Sequence, residues 1–222
     1  MTHTLHRAGD QSTLRQDYVI LATAAQPQSA EGLEERFRRF SEICLKHGPV
    51  NFGDMTSGNR FSVGEEAIHA GYCEGSIVHF VFTDEDVVAA VLEELKRAEL
   101  GLSIVVSGLM EHTAACCRRA GLVPHTAAVS LGVLGRTDRL PRDAVLWVHT
   151  MCGHGMIAFS LIEAMVSRIR EGSASPQEAA RELAKQCHCG VFNPERAEGL
   201  LRAMADGAAP EYRRRSSEEA GP

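Results

Sequence analysis

Apolar and polar positions follow two different rhythms along this chain. In the first part, short apolar runs are separated by stretches with helical spacing. Tyr18-Val-Ile-Leu-Ala-Thr23 is one such run, with the length and β-branched content of a strand. Between Ala30 and Lys46, Leu33, Phe37, Phe40, Ile43 and Cys44 share one helical face, and Gly48-Pro49 stops the helix. Val50-Asn-Phe52 reads as a brief strand, and Asp54 to Asn59 as a polar loop. Ser76 to Phe82 is a clear strand. Asp84 then suits an N-cap, Glu85 and Asp86 suit a first turn, and Val87, Val88, Val91, Leu92 and Leu95 form an amphipathic stripe ending at Gly101. Ser103 to Val106, a helix near Met110 to Ala120, and a strand at Ala127 to Leu134 continue the alternation. Strands joined by helical crossovers run parallel when they pair in one sheet. The pattern therefore predicts an α/β fold with a mainly parallel or mixed sheet and flanking helices.

From about Leu140 the rhythm is helical throughout. Pro141 opens a short helix through Trp147 and His149. Ile157, Leu161, Met165 and Ile169 mark a second, ended by Gly172. Ser175-Pro-Gln-Glu178 is a capping box with proline at the first helical position. Asn193-Pro194 opens a last helix through Met204. The expected organisation is a disordered N-terminus (1–16), an α/β domain (17–136), a small C-terminal helical unit (137–206) and a disordered tail (207–222).

Composition narrows the function classes. The net charge of -6 and pI near 5.9 oppose nucleic acid as the main partner, because backbone binding needs a basic face. Aromatics are only 5% of residues, too few for stacking platforms. No apolar stretch approaches the ~20 residues of a membrane span, and the start lacks an apolar signal region. A cytoplasmic protein is expected, and its seven cysteines should then be thiols or ligands rather than disulfides.

Those cysteines divide by context. Cys44, Cys116 and Cys117 lie among apolar helix positions and read as core. Cys152, in Met151-Cys-Gly-His-Gly155, and Cys187 and Cys189, in Cys187-His-Cys-Gly190, sit at helix breaks beside glycine and histidine. The helix, turn and helix between them form a hairpin that returns the chain toward its start, so the three thiols should meet. Glycine there permits close backbone approach. A structural zinc site closes with four ligands, and an iron–sulfur cluster is usually held by four cysteines. Three cysteines leave a position open for a substrate.

The expectation is a [4Fe-4S] enzyme with Cys152, Cys187 and Cys189 as ligands and His154 or His188 assisting proton transfer. Its chemistry would be lyase-like (hydration, dehydration or sulfur removal) on a small polar substrate, in a chain of homodimer size. Cys73 is a reserve ligand. The alternatives are a structural or hydrolytic zinc site and a carrier that passes on a metal or cluster. Met151-Cys-Gly-His-Gly155 also resembles the motif around the catalytic cysteine of the proline racemase family. The likeness covers five residues, without that family's partner motif. It implies a metal-free racemase or epimerase in which Cys152 abstracts a proton opposite a second thiol.

Other polar residues carry weaker signals. Ser57-Gly-Asn-Arg60 reads as a surface loop, although its arginine could hold a carboxylate. Glu65 and His69, with Glu66 beside them, read as a surface pair. Glu111 and His112 follow Ser107-Gly108 at the carboxyl edge of a strand, where α/β proteins bind ligands. No nucleotide-binding glycine motif is present. His79, inside an apolar strand, reads as a satisfied core histidine.

Overall fold

The computed structural model describes residues 4–25 and 31–208. The first apolar run of the sequence forms β1 (Tyr18–Ala24), an inner strand of the sheet. β1 is flanked by β4 (Ile77–Phe82) and β5 (Leu102–Ser107), and β4 is followed outward by β2 (Asn51–Asp54) and the short β3 (Gly58–Asn59). The sheet order is β3-β2-β4-β1-β5, and every pairing is antiparallel.

This corrects the expected parallel or mixed sheet. The β4–helix–β5 crossover exists, and β4 and β5 do run in the same direction, because each is antiparallel to β1. They are not neighbours: β1 occupies the slot between them. The misreading has a physical cause. An antiparallel sheet commonly leaves one face in water and alternates in polarity, whereas a sheet covered on both faces reads as continuous apolar runs. Here both faces are covered.

On one face lie α2 (Leu33–Leu45), α3 (Glu65–Ala70), α4 (Glu85–Ala98) and α5 (Met110–Arg119). Their core includes Phe37, Phe40, Val88 and Leu92 against Tyr18, Ile20, Phe80 and Phe82. Phe52 and Phe80 stack there at 5.1 Å between centroids. On the other face lie α6 (Asp143–His149), α7 (Phe159–Arg170), α8 (Pro176–Gln186) and α9 (Pro194–Ala205). Their core takes in Val19 and Val81 of the sheet, so the helical segment is a layer on the sheet rather than a separate unit. The caps form as their residues demand: Asp84 accepts from the first-turn amides of α4, Ser175 and Glu178 close a capping box, and Asn193 caps α9.

Two further expectations meet a different structure. Residues 4–16 carry the short helix α1 (Gln11–Leu14) and are tied to the body: the Ala8 amide donates to Thr150 Oγ1 at 2.9 Å. Ala127–Leu134 forms no strand, and residues 123–136 are exposed. Ala30 and most of the expected tail, from 209 onward, lie outside the described residues. No described helix is long and apolar enough to cross a membrane.

Candidate functional site

The two glycine-flanked breaks are tight turns. After α6 the Cys152 amide donates to His149 O at 3.1 Å, and Gly155, at φ +67°, closes the turn by donating to Cys152 O at 2.9 Å. After α8 the chain leaves the helix at Cys187, and Gly190, at φ +75°, donates to Cys187 O at 3.0 Å. α7 and α8 pack on one another and both pack on α9, as a returning hairpin requires.

The turn from Cys187 to Phe192 is held by side chains of the sheet layer. Leaving the helix turns its carbonyls inward, where each needs a donor. Asn59 Nδ2 serves Cys187 O at 2.9 Å and Ala184 O at 3.3 Å. Asn51 Nδ2 serves Phe192 O at 2.8 Å, and the Arg7 guanidinium serves Val191 O. Two glycines let the backbones touch. A Cβ on Gly53 of β2 would meet the Cys189 carbonyl carbon at 3.0 Å, and one on Gly190 would run into the Phe52 carbonyl. Asn51, Asn59, Gly53 and Gly190 are therefore part of the site's frame.

The three cysteines meet. Cys152, Cys187 and Cys189 are all buried, and they lie close enough that Cys187 perturbs the thiols on either side of it. Backbone groups of both turns complete their surroundings: His154 and Met156 at Cys152, Phe192 at Cys187, and Val191 at Cys189. Each of these favours a thiolate. The neighbouring Cys187 side chain, together with burial, pushes the Cys152 thiol far above its ordinary value. Cys152 pulls Cys187 down, but Cys189 and burial push it up to about 12. Cys187, the backbone at Val191 and the positive charge of Arg7 hold Cys189 below the ordinary thiol value despite burial.

That positive charge is itself unusual. Arg7 and Arg196 are both buried, and both pair with the one buried carboxylate of Asp17 (Arg196 at 2.8 Å). Burial raises the Asp17 carboxyl, but the two guanidiniums outweigh it and hold it below the usual range. Arg196 also feels the Asp10 carboxylate, and the cation whose charge reaches Cys189 is Arg7.

Of the two histidines expected to assist, His154 is at the site: its Nδ1 lies 3.7 Å from Cys189 Sγ, and the residue reaches solvent. His188 is exposed and makes no hydrogen bond to the three thiols. Cys73 is also exposed, against Ser76 rather than near the cluster. His79 is buried and pairs in register with Gly53. It therefore stands on the sheet face that carries the cysteine turn. Cys44 and Cys116 are buried as core residues, and Cys117 is half-buried.

The remaining polar expectations resolve into structure. Ser57, Ser76 and the Ile77 amide all donate to the buried Asp54 carboxylate, and exposed Arg60 lies over the Phe52 and Phe61 rings. His69 packs against Phe52 and Tyr72. At the edge after β5, His112 Nδ1 meets Tyr18 Oη at 2.6 Å and Glu85 Oε2 at 2.9 Å, which joins β1, α4 and α5, while Glu111 stays exposed.

Sequence reasoning missed Arg7, Asp17, Asn51, Asn59 and Arg196. One signal existed: an asparagine between Val50 and Phe52, in a strand otherwise apolar, needs a partner. The others depend on segments far apart in the chain.

Among the described residues, no three or more His, Cys, Asp or Glu side chains form a group that could hold a metal ion as they stand. Comparison with known proteins finds no matching family model, no matching curated protein and no matching solved structure. Fold and site define the chain's class on their own terms: a five-stranded antiparallel sheet between helical layers, with a buried cluster of three thiols at the inner end of a helical hairpin.

Proposed function

We propose that Cys152, Cys187 and Cys189 are the protein ligands of a [4Fe-4S] cluster in an enzyme of lyase-like chemistry. The observation that carries this reading is the setting of the thiols. Three buried sulfurs are each favoured as thiolates by backbone groups of the two turns, and Cys189 also by the guanidinium of Arg7. A purely structural core cysteine needs none of this, because a neutral thiol packs as a small apolar group. Thiolates do need it, and ligation requires thiolates. Glycine at the turns gives a bulky group close access to the backbone.

When bound with three protein thiolates, such a cluster supplies an iron free for Lewis-acid work on a small polar substrate, by hydration, dehydration or sulfur removal. The chain's own contribution is separate. Arg7 and the turn amides offset negative charge. His154, at the solvent side of Cys189, is placed to hold or move a proton, and an imidazole titrates near neutral pH.

A zinc site is the second reading, because Cys152, Cys187, Cys189 and His154 make up a Cys3His set. A metal-free racemase has less behind it, since Cys152 and Cys187 are both buried and the Cys152 thiol is held far above its ordinary value, away from the thiolate a proton-abstracting base needs. Anaerobic purification with elemental analysis decides among these. The expected result is a brown protein with iron and acid-labile sulfide in equal amounts, about four of each per chain, lost in Cys152→Ser, Cys187→Ser and Cys189→Ser but kept in Cys44→Ser. Stoichiometric zinc without sulfide selects the second reading. A colourless protein with neither metal overturns both.

A further inference from the structure

The segment between α5 and α6 has the sequence of a strand and none of its bonds. In Val129-Ser-Leu-Gly-Val133, apolar and small residues alternate with the period of two that puts one face on a core. Yet Val129 is 66% exposed, Leu131 85% and Leu134 75%, and Val123 is 91% exposed. From 123 to 134 no backbone group bonds to another backbone group among the described residues. Its ties are through Ser130, which lies 3.4 Å from His6 Nδ1 and 3.2 Å from the Gly132 amide. A continuous apolar segment with an unpaired backbone is costly to leave in water and marks an interaction surface.

The same chain offers a matching surface. β5 is an edge strand, paired on one side with β1 alone. Its Leu102, Ile104 and Val106 are only half-buried, while the neighbouring inner strand β1 is buried from Tyr18 to Ala22. β5 carries no charged side chain, proline or bulge of the kind that blunts an edge. Within one copy the segment does not pair with β5.

We propose that residues 123–135 are a dimerisation arm that adds to the open edge of β5 in a second copy of this chain. A second copy is the occupant because it brings both complementary parts at once, its own exposed arm and its own β5 edge. Each arm covers the other's β5, so one two-fold interface closes two edges. The size is adequate: arm and β5 together approach the roughly 20 residues a side of a standard interface. Main-chain bonds give the pairing its strength, and the alternating Val129, Leu131 and Val133 give it register.

The test uses the full chain. Sedimentation or light scattering, up to roughly 100 μM so that a micromolar interface is saturated, should give twice the 24.1 kDa chain mass. The double variant Leu131→Asp, Val133→Asp should weaken association at least tenfold while keeping the wild-type circular dichroism. Hydrogen exchange on the wild-type protein guards against a variant that misfolds. In the dimer, amides of 127–134 and of β5 should be protected together, and dilution should release them together. A wild-type protein that stays monomeric overturns the proposal and assigns the arm to another partner. So does a dimer whose association the double variant leaves unchanged, or one whose arm amides exchange freely.

Discussion

Asp17 shows how much one side chain can carry. It sits at the entrance to β1, takes both Arg7 and Arg196, and accepts from Asn193 Nδ2 at 3.1 Å. Through Arg7 it reaches the carbonyl of Val191 in the cysteine turn. Its folded-state pKa is depressed below the ordinary carboxylate value, so its contribution is present above the unfolded pKa and is lost as pH falls through the folded one. Urea midpoints should therefore hold steady from neutral pH to about 4 and fall below it. Asp17→Asn should remove about 3–5 kcal/mol at neutral pH by stranding two buried guanidiniums, and should flatten the acid limb of the curve. An unchanged acid limb in the variant would assign that limb to other carboxylates.

At the scale of elements, the cysteine turns depend on how helices stop. Gly190 lies at φ +75° with the Phe52 backbone against it, whereas Gly172, at φ +71° after α7, has open space where a side-chain methyl would stand, with no atom within 4 Å. Both should suffer from a side chain in the left-handed region, by about 1 kcal/mol. Gly190→Ala should cost about 2–4 kcal/mol because it must also push the turn off β2, and it should lower the metal content measured after anaerobic purification. Gly172→Ala should leave metal content unchanged. Equal losses of stability in the two variants would mean that the close approach to β2 contributes nothing.

Over the whole molecule the sheet joins two cores. Val81 faces the helical layer with Trp147, while its neighbours Phe80 and Phe82 face the other layer. The single tryptophan therefore reports on one layer and far-ultraviolet circular dichroism on both. If the layers share the sheet as one folding unit, the two signals should unfold at the same urea concentration. Val81→Ala should move both midpoints together, by about 2 kcal/mol for two buried methyl groups and the space they leave. Transitions that separate would show that the helical layer unfolds by itself.

Local patterns were enough to set the longer helices and their caps, and to mark the two turns that carry the three thiols. Helical periodicity, Ser175-Pro-Gln-Glu178, Asn193-Pro194 and the glycines beside Cys152 and Cys189 act within a few residues of themselves, so they can be read without the fold. Strand order could not be read this way. Continuous apolar runs at β1 and β4 report that both faces are covered, not which strand lies beside which, and only assembly placed β1 between β4 and β5. The strand-like pattern of Ala127–Leu134 was visible, but a strand also needs a partner strand, and the segment pairs with none among the described residues. Tertiary structure alone brought Arg7, Asn51 and Asn59 to the carbonyls of the cysteine turn, across sequence separations of more than 120 residues. Polar partners that distant leave no periodic trace, because a buried donor is set by the carbonyl it must satisfy.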